Sequence, residues 1–564
     1  MPYVVKNGRE ASEDELTEEL IVFTKPEANL TADEVLKIEA STDSSLAGSE
    51  YKVYIQDTAH NSEKIEVKSG KIGNDGEISA SVDTSYYDNG KYTVTIAVQK
   101  PDGEGVKRDT IAVVKHERVT PTGEYKCEIT SPADMDELKN VYEIKANVSA
   151  GIFTDYKLEY SPAGKNSYIL IENGSVPENS EITVEFDTTL IENGYYDFRI
   201  TAFSDKVTAS DKVTASVTGN LKAGNFTLSF DDLDFDVNDI PVKIVRTYDT
   251  KKKSSSGEFG YGWNLSYDNV KVNISCEHGR EWDVKATSSG FIAKYSLIEL
   301  KKHRICIDLG NGITEEFRIR VLPESQMFYK PELGLSVIYE SVDGTGSTLT
   351  AVDMSQNDLI YNAGVLYSEN FEIYNPESFV YTRADGTSYR ISVNKGLASL
   401  TAPTGEQITF SDNGIISSDG KSISYTRDAD GNITSVESHT GKKVTYEYDV
   451  FGDLKAVTDI DGDVCRFSYS DHYVTEIFDP RGVRATKNEY DDDGRLIKTI
   501  DADGNEIVYD HDIEGRQEIV TDRNGGITVC SYDDDGNITA QTDANGNTVK
   551  MSYDENGRLI LSTN

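Results

Sequence analysis

Residues 448 to 469 read YDVFGDLKAVTDIDGDVCRFSY and residues 490 to 511 read YDDDGRLIKTIDADGNEIVYDH, two copies of one pattern that restarts every 21 residues. Stepping by that interval brings Tyr448, Tyr469, Tyr490, His511, Tyr532 and Tyr553 into one column, with Arg427 opening the series. The next column is Asp428, Asp449, Asp491, Asp512, Asp533 and Asp554, broken by Ser470. A glycine follows in Gly431, Gly452, Gly494, Gly515, Gly536 and Gly557, broken by Tyr473. A second glycine column runs through Gly441, Gly462, Gly504, Gly525 and Gly546, and Gly482 falls one residue early in the repeat that also carries Ser470 and Tyr473.

Between these turn signals lie short alternating runs such as Ile433 to Val436, Val444 to Tyr448 and Leu454 to Val457, the pattern of half-buried strands. Asp-x-x-Gly supplies a carboxylate that bonds its own turn and a residue free to take positive φ. Each unit therefore predicts two strands and two turns. No unit this small buries an apolar face alone, so neighbours must stack and the ends need caps.

The spacing and the Tyr-Asp words resemble the RHS or YD-repeat family of bacterial RHS and wall-associated proteins, insecticidal toxin subunits and animal teneurins. The resemblance extends upstream. Gly224 to Asp236, Ile240-Pro241-Val242, Arg246-Thr247-Tyr248 and Phe259-Gly260-Tyr261-Gly262-Trp263 are similar to the segment that opens the RHS region in such proteins. The family implies a β-ribbon spiralling into a hollow shell, often around a C-terminal toxin carried as cargo. The sequence reaches Asn564 in mid-repeat without the family's C-terminal core signature, self-cleaving aspartates or toxin domain. Those activities are not carried over, and the expectation is the N-terminal portion of a longer protein.

A second repeat, with a period near 104, precedes residue 224: Asp83 to Tyr92 matches Asp187 to Tyr196, and Tyr51-Lys52-Val53 matches Tyr156-Lys157-Leu158. Two β-sandwiches are expected, each with an Asn-Gly turn before a strong final strand pair. They resemble bacterial Ig-like modules without the Cys and Trp framework of antibody domains. The expected all-β order is an acidic disordered tail over 1–20, sandwiches over 21–120 and 124–218, and a cap with irregular repeats over 224–380. YD repeats follow over 381–564, regular from 427. The stretch Lys251 to Gly257 reads as a solvated, protease-sensitive loop.

Composition narrows the function. The net charge of −42 argues against nucleic acid and anionic membrane, which select for clustered Lys and Arg. No apolar run is long enough to span a bilayer, and no signal peptide is visible. The five scattered cysteines do not suggest a disulfide scaffold. No Gly-x-Ser-x-Gly, His-Glu-x-x-His or Cys-x-x-Cys occurs and the seven histidines are dispersed, so no catalytic residue is assigned and no enzyme is expected.

Calcium is the one cofactor considered, at Asp231, Asp234 and Asp236 or at Asp459, Asp461 and Asp463; turn formation is the preferred reading of these aspartates because no bidentate Glu closes an EF-hand loop. The motif residues Tyr448, Asp449, Gly452, Tyr490, Asp491, Gly494, Tyr532, Asp533, Gly536, Tyr553, Asp554 and Gly557 are read as structural. Arg246, Tyr248, Phe259, Gly260, Gly262 and Trp263 are read as a cap closing the first turn of the ribbon. Two function classes follow. One is an extracellular or cell-surface bacterial shell protein whose partner is its own C-terminal effector; the other is a teneurin-like adhesion protein with a glycan or cell-surface partner.

Overall fold

The structure, a computed structural model, describes residues 20–26, 30–32, 34–60, 62–101, 103–237, 240–289, 292–310, 313–554 and 559–563. The acidic N-terminal stretch, Gly557 and the side chain of Asp236 lie outside the described residues. Among those described, every long element is a strand, and the helical pieces are short 3-10 turns such as Ser44–Leu46 and Ser266–Asn269. The chain forms two compact units: residues 20–117 with Asp449–Phe451, and residues 118–448 with 452–564.

In the first unit, Ile21–Lys25, Val35–Thr42 and Glu77–Asp83 form one sheet. Gly105–Val114, Gly90–Gln99, Glu50–Asp57 and Ile65–Lys71 form the other, with Leu30–Ala32 added in parallel at its edge. The period of two in Glu77–Asp83 turns Ile78, Ala80 and Val82 inward, where they meet Val53, Val94 and Ile96 of the opposite sheet.

The second unit begins with a sandwich of the same strand order. Cys127–Ser131, Val141–Val148 and Glu181–Asp187 face a five-stranded sheet that includes Gly194–Phe203 and Thr208–Val217. Tyr92 and Tyr196 occupy equivalent positions, and each hydroxyl donates at 2.9 Å to the carbonyl four residues upstream, on Asp88 and Glu192.

Beyond residue 270 one antiparallel sheet of 24 strands runs from Lys271–Ile274 to Leu559–Thr563. The ribbon thus starts far upstream of the regular repeats. Its early strands fold their apolar faces onto one core, in which Ile305, Phe317, Ile319 and Val337 meet Phe379, Tyr381 and Ile391. From Ser378–Thr382 onward each strand pairs with the next in sequence, so local turns alone set the register.

Those turns use one device. Asp501 Oδ1 accepts from the N–H groups of Asp503 and Asn505 at 2.9 Å, while Gly504 takes φ 84°. Asp428, Asp459, Asp479, Asp491, Asp522, Asp533 and Asp543 each accept from the same two positions in their own turns. Gly515 departs from the expectation: its own carboxylate neighbour Asp512 bonds its N–H, and Arg516 takes the left-handed φ of 52° instead. Because Asn keeps the accepting oxygen and Ala does not, Asp501→Asn is expected to leave the urea midpoint near that of the parent. Asp501→Ala is expected to lower it.

The upstream core also holds His278, wholly buried, with neither ring nitrogen partnered and the rings of Tyr339, Tyr374 and Phe379 around it. Burial, helped by nearby His303, pushes its pKa down to about 3. Between the ordinary value of 6.5 and about 3, the unfolded chain binds a proton that the folded chain refuses. Stability from this residue is therefore full above the ordinary value and is lost as pH falls. The loss is about 2 kcal/mol at a pH of about 5. A His278→Phe variant is expected to lack that part of the acid slope in denaturation midpoints measured across this range.

Candidate functional site

At one end of six repeats the ladder slips by one residue, just before Arg427, Tyr448, Tyr469, Tyr490, Tyr532 and Tyr553, whereas at His511 the pairing runs on without a slip. The slip gives the residue facing the column two bonds outside the ladder. Its carbonyl is met by the next repeat: Tyr448 donates to Ile433, Tyr469 to Leu454, Tyr490 to Val474 and Tyr553 to Ile538, over 2.6 to 2.9 Å. His511 makes the same bond to Leu496 through Nε2 at 2.8 Å, which explains why an imidazole can hold a tyrosine's place. The column is a ladder of side-chain bonds between neighbouring hairpins.

The N–H groups of that facing residue point to another part of the chain. Ile433 donates to the Glu258 carbonyl at 2.9 Å, Leu496 to the Gly224 carbonyl at 2.8 Å and Val474 to the Tyr248 hydroxyl at 3.3 Å. Asn220 donates to Asp535 O at 2.7 Å, and Tyr261 to Gly452 O at 3.3 Å. The stretch 220–262 is thus bound, repeat after repeat, along the Tyr-Asp end of the ribbon. Glycines mark the contact. A Cβ on Gly536 would lie 2.1 Å from Leu221 N, and one on Gly224 2.3 Å from Arg495 Cβ, whereas Gly462, Gly504, Gly525 and Gly546 at the other end have nothing within 4 Å.

The same stretch supplies a plug for one face of the ribbon. Thr227–Val237 and Ile240–Asp249 form a hairpin, Trp263–Leu265 adds to it, and together they bury Tyr248, Phe259 and Trp263 against Ile433, Val436, Tyr446, Phe467 and Val474. At the centre lies Arg246, 2% exposed. Its Nε and Nη2 donate to Asp232 at 3.0 and 3.2 Å, and Tyr446 donates to the same carboxylate at 2.8 Å. The guanidinium stands 4.6 Å from the Trp263 ring and 4.7 Å from that of Phe230. Trp263 Nε1 donates at 2.8 Å to the hydroxyl of Tyr469, which in turn donates to Leu454 O. Burial raises the pKa of Tyr248, Tyr446 and Tyr469, so all three act as neutral donors.

Residues 427–464, 490–527 and 532–564 match the family described as RHS Repeat, and residues 220–275 match a domain of unknown function (DUF6531). The C-terminal part of the chain carries RHS repeats. No curated protein matches it. Among solved structures it is similar to a tetra-tandem repeat from the extending region of a large adhesion protein, at 10% identity over 70% of this chain and 97% of that one, with a TM-score of 0.18. It is also similar to the teleost fish polymeric Ig receptor ectodomain, at 7% identity over 36% of this chain and 100% of that one, with a TM-score of 0.14. Scores this low assign neither fold nor function.

The RHS match skips residues 465–489, the repeat in which Ser470, Tyr473 and Gly482 break the columns. Here Ser470 pairs directly with Tyr473 across Asp471 and His472, whose φ values of 48° and 63° make a two-residue hairpin turn. That turn is one residue shorter, so the following glycine arrives one residue early. The shortened turn is where the plug docks. Tyr248 donates to His472 O at 2.9 Å, the Tyr261 ring stacks on the His472 imidazole at 3.9 Å, and Lys253 pairs with Asp471 at 2.6 Å. Asp453 holds the imidazole through Nδ1 at 2.8 Å.

Several expectations change at this junction. Arg246, Tyr248, Phe259 and Trp263 do sit together, yet they pack on the ribbon face of residues 408–474 and not on the ribbon's first strand, because the hairpin reaches past the early strands. Gly260 and Gly262 take φ 90° and 74° with the Gly452 carbonyl and the Tyr248 ring pressed against them. Lys251, Lys252 and Lys253 are not a solvated loop, since they pair with Asp249, Glu192 and Asp471.

Among the candidate cation ligands, Asp231 pairs with Lys243 at 2.9 Å, Asp234 is exposed, and Asp459 accepts from the N–H groups of Asp461 and Asp463 within its own turn. No group of three or more metal-ligating side chains occurs among the described residues. The aspartate that matters in the first run is Asp232. A register shift between Asp231 and Leu233 turns it inward, and the doubled aspartate was its only signal in the sequence.

Proposed function

We propose that this RHS-family scaffold protein is the non-enzymatic shell of an RHS-type polymorphic toxin or wall-associated protein, acting outside the cell to contain and deliver a C-terminal effector. The reading rests on one observation. The stretch 220–265 is bound along the Tyr-Asp ends of successive repeats and plugs one ribbon face with a buried core. A plugged ribbon excludes solvent from one side of its wall, which is what a container for a folded or unfolded guest requires. The two sandwiches are read as Ig-like display modules, supported by the tyrosine-to-carbonyl bonds of Tyr92 and Tyr196. No helix among the described residues is long and apolar enough to cross a membrane.

The test is a low-resolution reconstruction of the natural full-length product. The shell reading expects a hollow, curved wall with density inside it. A solid rod without enclosed volume would overturn containment and favour adhesion, in which the ribbon serves as a stalk for a glycan or cell-surface partner.

A further inference from the structure

The second sandwich, residues 127–217, meets the ribbon at places far apart in sequence. Tyr195 donates at 2.9 Å to Glu316, Lys165 at 2.6 Å to Asn394 and Lys139 at 2.6 Å to Asp535, while Asp187 pairs with Arg495. Glu192 sits between two ammonium groups, that of Lys271 at 3.0 Å on the ribbon's first strand and that of Lys252 at 3.3 Å in the opening segment. Burial alone would raise the Glu192 pKa, but the two ammonium groups outweigh it and bring it down to about 2.

No apolar core joins the two bodies. The sandwich core closes on its own members, from Cys127 to Val217, and neither ribbon core takes a residue from it. The seam is also loosely filled: a cleft of about 390 Å³ opens along it, with Lys165 and Asp197 on one wall and Arg280 and Glu377 on the other. Tyr195 shows what the docking covers. Along Gly194–Phe203 the side chains of Tyr196 and Phe198 point into the sandwich core, so Tyr195 points out of it. It is nonetheless 7% exposed, because its ring lies at the seam and its hydroxyl reaches Glu316.

We propose that the second sandwich is a detachable arm, latched to the ribbon by charge around Glu192, which swings clear as a folded unit when its ion pairs are screened and uncovers the ribbon's first strand. Each half keeps its own core, so parting them exposes little apolar surface, and the groups released are ones that water solvates well. Salt acts on such a seam directly, since the screening length falls from about 10 Å at 0.1 M to about 3 Å at 1 M. Sulfate separates the two possible kinds of seam: it strengthens apolar burial while it screens charge, so it tightens an apolar interface and releases an ion-paired one. The latch is independent of what the ribbon contains.

The test is hydroxyl-radical footprinting of the folded full chain in sodium sulfate, read residue by residue by mass spectrometry. Tyr329, 70% exposed, sets the scale, and Tyr196, in the sandwich core, reports unfolding. At low ionic strength Tyr195 is expected to be oxidised as slowly as Tyr196. Raising the ionic strength to about 1 M is expected to speed Tyr195 about fivefold or more relative to Tyr329, while Tyr196 stays slow. Glu192→Lys, which sets three cations together, should do the same without added salt. A Tyr195 that stays protected at high salt overturns the latch, as does one exposed only together with Tyr196. A folded Glu192→Lys chain that keeps Tyr195 covered overturns the place of Glu192 at its centre. Should that variant fail to fold, the salt series on the parent decides.

Discussion

Arg246→Met is expected to cost about 3–5 kcal/mol of stability, the range for stripping one partner from a buried ion pair. Methionine fills much of the space, so the loss comes from Asp232. That carboxylate is 7% exposed and would keep only the Tyr446 hydroxyl, at 2.8 Å, against its charge. The cation also faces the rings of Trp263 and Phe230, and these contacts vanish with it. Replacing both partners by apolar residues, Arg246→Met with Asp232→Leu, is expected to recover most of the loss, because no charge is then left buried. Urea unfolding followed by tryptophan emission reads both results. Of the chain's two tryptophans, Trp263 lies in this core and Trp282 in the upstream one. A single variant as stable as the parent would mean that the pair is open to water.

Gly262→Ala against Gly504→Ala separates backbone strain from packing. Both glycines hold left-handed φ, 74° and 84°. At Gly504 nothing stands within 4 Å of an added Cβ, so only conformational strain of about 1–2 kcal/mol is expected. At Gly262 the new carbon would lie 2.6 Å from the ring of Tyr248, which is wholly buried and held by His472 and Val474. Overpacking then adds about 1–3 kcal/mol, and the plug has to shift. Equal denaturation midpoints for the two variants would show that the ring can move aside.

The ribbon was legible because its rules are local. Aspartate and glycine at fixed offsets choose the turn, the period of two chooses the face, and hairpins joined in sequence leave no register to guess. The strands between residues 271 and 374 were harder to align because their turns vary in length and a side sheet, including Trp282–Ser289 and Ile292–Glu299, interrupts them. The docking of residues 220–265 was not legible. Nothing in the spacing of Tyr248 or Trp263 says which repeat they meet, more than two hundred positions away. Yet the trace was present. Ser470, Tyr473 and Gly482 depart from the columns where the plug binds, so the flawed repeat was the informative one.

The most direct measurement is hydrogen exchange at the amides of Ile433, Val474 and Leu496 in the native chain. Each lies in the repeat ladder, but its N–H is given to Glu258, Tyr248 or Gly224. If the opening segment is bound along the ribbon as described, these three amides are protected as strongly as neighbouring ladder amides and lose that protection together in Arg246→Met. Exchange at the rate of unpaired amides in the parent chain would contradict the docked plug and the account built on it.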